Sequence, residues 1–541
     1  MRHLHRKLAV GALLLAGTAA CADLDVANPN DANQERALSS AGDVVSLISS
    51  SYNSWFTGNY SYDGPGLFLS NASFQHTAPW ANGGMEFYGR IPRQATANDP
   101  AHPEYLHLTS AWYQSYRAIA GASEGLRSLE DPAIAEELSA TEIVRAQAFG
   151  KFVLANAHAT LAILFDNGFI VDETVAVFDE QGFPIPLPAV SYQEMLDAAL
   201  GYFDQAIALA EANEFEIPTS WLQAAGLTSE DLALISHSFK ARYRAAVART
   251  PEERAAVDWT AVIADVRAGI TEDFSMDMDA NNGWYQEMLD YGTSSGWSQS
   301  PYFIYGMADQ SGNYQAWLDL PLSAKDVNLP NGDPVLIITP DLRFPQGTTL
   351  EEQQDSSGIY FKTPTNIANV HARPDRGTWR WSYYKDYRHD LYNAWSDFTH
   401  NEIDYNEMRL LEAEGLYRQG QLQAAADLIN VTRVAAGLNA TDAAGTNTSC
   451  VPRLPDETCG DLFEMLKWEK RLEVVFEGLL GAPWYFDSRG WGDLWIGTPL
   501  QFPVPCKEVQ VLSLPECNSY GGLGGEMGSP GSNYDWPHEG A

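Results

Sequence analysis

Two stretches of this 541-residue sequence have residue types and spacings that could do chemistry. Gly292-Thr293-Ser294-Ser295-Gly296 fits G-x-S-x-G, the turn that presents a nucleophilic serine in hydrolases. That turn needs a buried strand before it and a helix after it. The flanks YQEMLDY and WSQSPY offer neither, so a Gly/Ser loop is the expectation. Asp277-Met278-Asp279-Ala280-Asn281 resembles the opening of a calcium loop, but its glycine comes one place late at Gly283. Met288 stands where a bidentate glutamate belongs, so the stretch reads as a solvated acidic turn. Calcium is the one metal worth considering, and no cofactor is expected. H-E-x-x-H, P-loop and dinucleotide fingerprints are absent from the sequence. No catalytic residue and no metal ligand is nominated, although a glycosidase carboxylate pair is defined in space and not by spacing.

Four cysteines lie near the C-terminus: Cys450, Cys459, Cys506 and Cys517. Without C-x2-C spacing they read as disulfides and not as a zinc site. Four cysteines allow three pairings; proximity favours Cys450–Cys459 with Cys506–Cys517. Aromatic residues make up 12% of the chain and gather in two Gly- and Pro-punctuated segments, 57–103 and 275–400. Rings on such loops are available for binding flat, amphipathic ligands.

The chain carries 71 acidic against 33 basic residues, a net charge of −38. A surface this acidic disfavours nucleic acid and unaided attachment to an anionic membrane. Residues 1–20 read as a secretory signal: Arg2, Arg6 and Lys7, a short apolar run, then small residues before Cys21. Their removal takes away three positive charges and moves the net charge from −38 to −41. The cysteine directly after Thr18-Ala19-Ala20 suggests a bacterial lipoprotein lipidated at Cys21, attached to the membrane through that anchor only.

The elements that must position any site are mostly helices. Amphipathic segments recur at 35–56, 104–129, 141–165, 191–212, 229–249 and 258–270, and residues 403–438 read as a helical pair broken at Gly420. Gly420, the small Ala425 and the bulky Ile429 match tetratricopeptide offsets. The fold class is therefore mostly α: a tetratricopeptide-like helical scaffold with long irregular loops and short strands. The expected organisation is one domain over 21–541. It divides into a helical part at 21–274 with the loop insertion 57–103, an aromatic-rich region at 275–400, and a C-terminal part at 401–541.

Several segments in order resemble the SusD/RagB family, surface lipoproteins that bind nutrients for TonB-dependent transporters. They are the start CADLDVANPN at Cys21, WYQSYRAI at Trp112, RAQAF at Arg145 with LAILFDNGFIVDE at Leu161, the pair at 403–438, and WEKRLEVVFEG at Trp468. LLGAPWYF at 479–486 departs from the usual short link after the last motif, and the usual proline near Phe169 is missing. In that last motif Trp468, Leu472, Val475 and Phe476 are expected on one helical face. Glu469, Lys470, Arg471 and Glu473 would form charge pairs around it, and Glu477 would pair with Arg489, all as structural locks.

The resemblance implies a non-catalytic, outer-membrane lipoprotein exposed at the cell surface, working with a SusC-like TonB-dependent transporter. Carbohydrate is the favoured ligand, since sugar C–H faces stack on rings while hydroxyls bond to polar rims. The family places its site on the irregular loops, which nominates Trp80, Asn82, Tyr88, Trp284, Trp297, Tyr302 and Trp317. The alternatives are a peptide ligand, a surface glycoside hydrolase, and a helical-repeat scaffold that binds only proteins.

Overall fold

The computed structural model describes residues 38, 40–179, 183–293, 298–365, 376–378, 382–390, 398–525, 528–537 and 539. The signal, Cys21 and Trp297 lie outside the described residues.

Helices dominate. The principal ones are α1 Ala41–Tyr60, α2 Tyr105–Ser128, α3 Ala140–Leu164, α4 Tyr192–Glu211, α5 Ser229–Ala246 and α6 Trp259–Ala268. The C-terminal part adds α7 Tyr405–Arg418, α8 Leu422–Ala435, α9 Leu462–Glu473 and α10 Pro483–Trp491. Each packs on the next in chain order from α1 through α6; α6 then meets α7, which in turn packs on both α8 and α9. Among the described residues no helix is long and apolar enough to cross a membrane.

The helix starts are written in short polar residues. Ser139, Ser191 and Thr228 accept from backbone N–H groups three residues on, and Glu142, Glu194 and Asp231 reciprocate. Helix α3 is buried on every face from Ala146 to Leu164, except at Gln147 and Lys151. Its Ala and Gly positions admit close neighbours: a Cβ at Gly150 would stand 2.8 Å from Leu126 of α2. One cluster of buried side chains runs from Ala41 to Trp536, and two small ones lie beneath the α7–α8 pair. A fully buried large side chain in such a cluster contributes about 1.5–3 kcal/mol.

Three two-stranded antiparallel pairs bridge the irregular segments: β1 Asn167–Gly168 with β2 Val190–Ser191, β3 Phe274–Asp277 with β6 Thr399–Ile403, and β4 Phe361–Lys362 with β5 Lys385–Asp386. Disulfides Cys450–Cys459 and Cys506–Cys517 close short C-terminal segments, with Cα separations of 4.7 and 5.0 Å.

The WEKRLEVVFEG stretch departs from its expected form. Helix α9 ends at Glu473, and Phe476 adopts φ 62°, so Val475 and Phe476 do not continue the helical face. Its charges are interior and not peripheral. Arg343 pairs with Asp341, Glu469 and Glu473 at 2.8, 2.8 and 3.2 Å, while Lys470 reaches Asp487 at 2.9 Å. Asp487 also receives Arg254, which binds Glu414 of α7 at 2.6 Å. Arg489 does not meet Glu477: its guanidinium donates to the carbonyls of Ala246, Ala248 and Leu500. The network locks α9 to α7 and α10 because each buried charge has an opposite partner.

The short helix Glu287–Thr293 leads into the G-x-S-x-G stretch and includes its first two residues, where an elbow requires a strand; Ser294, Ser295 and Gly296 lie outside the described residues. In the acidic turn, Asp277 accepts from the Thr399 hydroxyl at 2.7 Å and Asp279 caps the turn Ala280–Asn282.

Candidate functional site

The site is built on the segment between α1 and α2. After the short helix Gly66–Ala72 the chain passes Trp80 and turns through Asn82–Gly84 into the helix Met85–Gly89. Gly83 and Gly84 sit at φ 56° and 70°, and a Cβ on Gly84 would meet the Tyr88 ring at 3.0 Å and a Glu104 carboxylate oxygen at 3.2 Å. Glycine is therefore required for this turn to close. The turn leaves Trp80, Asn82 and Phe87 half-buried, each with part of its surface open.

Glu86 organises the polar side of this ledge. Its carboxylate accepts from Arg90 at 2.7 Å and from Arg376 at 3.2 Å. The Glu86 side chain is 5% exposed, whereas the two arginines remain 36% and 48% exposed. Arg376 arrives from far along the chain because the Ile91 N–H donates to the Gly377 carbonyl at 3.1 Å. Two guanidiniums on one carboxylate hold planar donors facing outward, which costs a ligand little ordering entropy.

The ledge continues into a strip of rings. Phe87 packs against Tyr88 and His102, each at 4.9 Å between centroids. Glu104, beside Glu86, lies 3.4 Å from His107; the imidazole stands 5.8 Å from Tyr62, and Tyr62 stands 5.0 Å from Tyr291. Tyr285 adds a half-buried ring whose hydroxyl donates to Asp290. The strip thus joins the two aromatic-rich segments through Tyr62 and Tyr291.

Burial, and then the Glu86 carboxylate, push Glu104 above the ordinary carboxyl range, with Arg90 opposing. Burial pushes the His107 imidazole down, against Asp63. The strip therefore offers half-buried ring faces, guanidinium and amide donors and carboxylate acceptors. Stacked faces and bonded hydroxyls are the contacts that a chain of sugar rings requires.

Four nominated residues are elsewhere, which corrects the sequence expectation. Tyr88 is 4% exposed and stacks on Phe68 at 4.3 Å; Trp284 is 3% exposed, 5.2 Å from Phe56 and 6.1 Å from Tyr52. Tyr302 and Trp317 are fully buried, with their polar atoms satisfied by the carbonyls of Val335 and Asp326. These rings hold the irregular segments on the scaffold, because a large ring gains more from core burial than from exposure. Of the six nominated residues that the structure describes, Trp80 and Asn82 stand on the strip; Trp297 lies outside the described residues. Tyr62, Phe87, Tyr291, Glu86, Arg90 and Arg376 stand with Trp80 and Asn82 without having been nominated from the sequence. Composition marked the segments of the rings, but nothing local marks which ring faces outward or that Arg376 reaches Glu86.

No family model and no curated protein matches the sequence. Solved structures do. A SusD/RagB family protein from Bacteroides thetaiotaomicron superposes with a TM-score of 0.50 at 13% identity, covering 87% of this chain and 94% of that one. A SusD homolog from Parabacteroides distasonis gives a TM-score of 0.50 at 13% identity, covering 82% and 84%. A third structure, solved with xylogluco-oligosaccharide, gives 0.46 at 12% identity over 83% and 82%. The chain shares the mostly helical fold of SusD-like proteins.

Proposed function

We propose that this chain is a non-catalytic surface lipoprotein that captures an oligo- or polysaccharide and hands it to a SusC-like TonB-dependent transporter. The reading is supported by the SusD-like fold and by the lipoprotein-like signal ending at Cys21. The single observation that carries the ligand class is the strip itself. Half-buried Trp80 and Phe87 flank the Glu86, Arg90 and Arg376 cluster in the chain, and half-buried Tyr62 and Tyr291 join it through His107 and Glu104.

Capture works by preorganisation. The rings are already packed on one side, so a sugar covers the open side without displacing a side chain. Covering half of one ring removes about 75–100 Å² from water, on the order of 2 kcal/mol per stacked sugar. Arg90 and Arg376 supply the charge-assisted bonds that fix orientation. The lipid at Cys21 keeps the protein at the membrane despite the −41 charge that remains once residues 1–20 are removed.

Affinity electrophoresis of the protein without residues 1–20 against a glycan panel tests this reading. Retardation by at least one glycan, lost on Trp80→Ala with Tyr62→Ala, is the expected result. No retardation by any glycan, together with binding of peptides, would put the peptide ligand in its place. Glu86 and Glu104 give the hydrolase alternative a specific form, since one carboxyl of this neighbouring pair is pushed upward. Product release from a glycan that stops on Glu104→Gln would establish that alternative and end the non-catalytic reading.

A further inference from the structure

A second concave site lies on the helical scaffold, on elements that contribute nothing to the aromatic strip. The start of α4, the end of α5 and the short helix Pro251–Ala256 enclose a cleft of about 270 Å³. That is just below the range of small-molecule pockets and is room for one or two side chains. Its floor is aliphatic: Leu196, Leu200, Val247 and Val257, with the Tyr192 ring at one wall.

The charges at its rim are one-sided. Asp197, Glu253 and Asp258 line the cleft against one cation, Arg244. Arg244 is already committed to Asp265 at 2.8 Å. Glu253 accepts from the Tyr192 hydroxyl and the Arg249 N–H, both at 2.8 Å, and Asp258 caps α6. Asp197 is exposed on α4 and makes no hydrogen bond or ion pair. Behind Tyr192 the buried Arg249 guanidinium sits 3.7 Å from the ring centroid; it is not part of the cleft lining, and Glu253 and Asp166 stand against it. The helix N-termini at the rim are met by their own caps, Ser191 and Asp258. The surrounding sequence strengthens the sign: residues 152–239 contain thirteen acidic residues and no Lys or Arg.

We propose that this cleft is a docking site for a protein segment that inserts a Lys or Arg side chain next to an aliphatic one. The methylene stem of the inserted residue lies on Leu196, Leu200 and Val257, and its charged head meets Asp197 at the rim. A glycan fits poorly here, because the floor is aliphatic and the Tyr192 ring at the wall is only 9% exposed. Charge complementarity over this stretch selects a basic partner and speeds its arrival.

The test uses the protein without residues 1–20 and two fluorescein-labelled peptides, LKLKLKL and LELELEL, read by fluorescence anisotropy. The lysine peptide is expected to bind and the glutamate peptide not to. Asp197→Lys, which changes an exposed residue without partners, should weaken the lysine peptide by ~10-fold or more. Ala256→Trp, which fills the mouth from an exposed position, should do the same, with far-ultraviolet circular dichroism unchanged. Glycan retardation should persist in both variants, so loss here is distinct from failure of the strip. Equal binding of the two peptides, or unchanged affinity in Asp197→Lys, would overturn the proposal. So would displacement of the lysine peptide by spermidine at an equal concentration, since the ligand would then be a free polyamine.

Discussion

Arg343 and Glu469 meet as a two-pronged buried pair: Nη1 donates to Oε2 at 2.8 Å and Nη2 to Oε1 at 3.2 Å, with neither side chain more than 1% exposed. Their partners lie 126 residues apart in sequence, so the pair ties the aromatic-rich region to helix α9. Glu469→Ala is expected to lose roughly 3 kcal/mol, since it removes the two-pronged partner of Arg343, which keeps Asp341 and Glu473, and leaves Arg433 without a carboxylate. Urea unfolding measures this. A loss below ~1 kcal/mol would mean that water or Asp341 compensates and that the pair is not a lock.

Asp404 gives a pH dependence whose sign is fixed by its surroundings. It caps α7, accepting from the Asn406 N–H at 2.6 Å. Burial, then Asp273, push its carboxyl up to about 7; Glu473 adds to this, while the Asn406 N–H and Arg388 oppose it. A folded value raised above the unfolded one contributes stability that is present below the unfolded pKa and is lost as pH rises toward about 7. Asp404→Asn keeps an N-cap and removes the titration. Its stability relative to wild type should therefore climb between pH ~4 and ~7, by on the order of 2 kcal/mol. A flat difference across that range would refute the assignment.

The buried and half-buried tryptophans should separate cleanly. Trp317→Ala removes a fully buried ring and is expected to lower unfolding stability by about 3–5 kcal/mol. Trp80→Ala removes a half-buried ring and should cost much less stability while weakening glycan binding by roughly 30-fold. The reverse pattern in paired denaturation and affinity measurements would relocate the site.

The Cys450–Cys459 bridge closes a segment with a sequence separation of 9. Replacing both cysteines with serine should lower stability by ~2–3 kcal/mol through the freed unfolded chain. Differential scanning calorimetry with and without reductant checks this; the double variant should then be insensitive to reductant at this bridge.

Much of the scaffold was legible because its signals are local. Apolar residues at helical spacing, Ser139 and Thr228 before acidic third positions, and the break at Gly420 each act within one or two turns. The helices appear where those signals lie, within a few residues for most and about six late at the first. The motif at Trp468 was legible as a structural element, yet its helix stops at Glu473 because Phe476 takes a left-handed conformation that no local pattern announced.

The sequence alone determined the fold class, the acidic character of the chain and the segments in which rings concentrate. Those follow from composition and short-range periodicity, which act before the chain closes. Which rings become core and which become strip was decided only by tertiary structure. Trp284 and Trp317 differ from Trp80 in what long-range packing brings against them, and the exposed arginine at position 376 joins the strip only because a carbonyl at Gly377 meets Ile91. Aromatic residues carry no local mark of facing, since the same ring is stabilised in a core or on a platform. The acidic turn at Asp277 and Asp279 is held within the scaffold, and the half-buried rings were located by the sequence only to the segment.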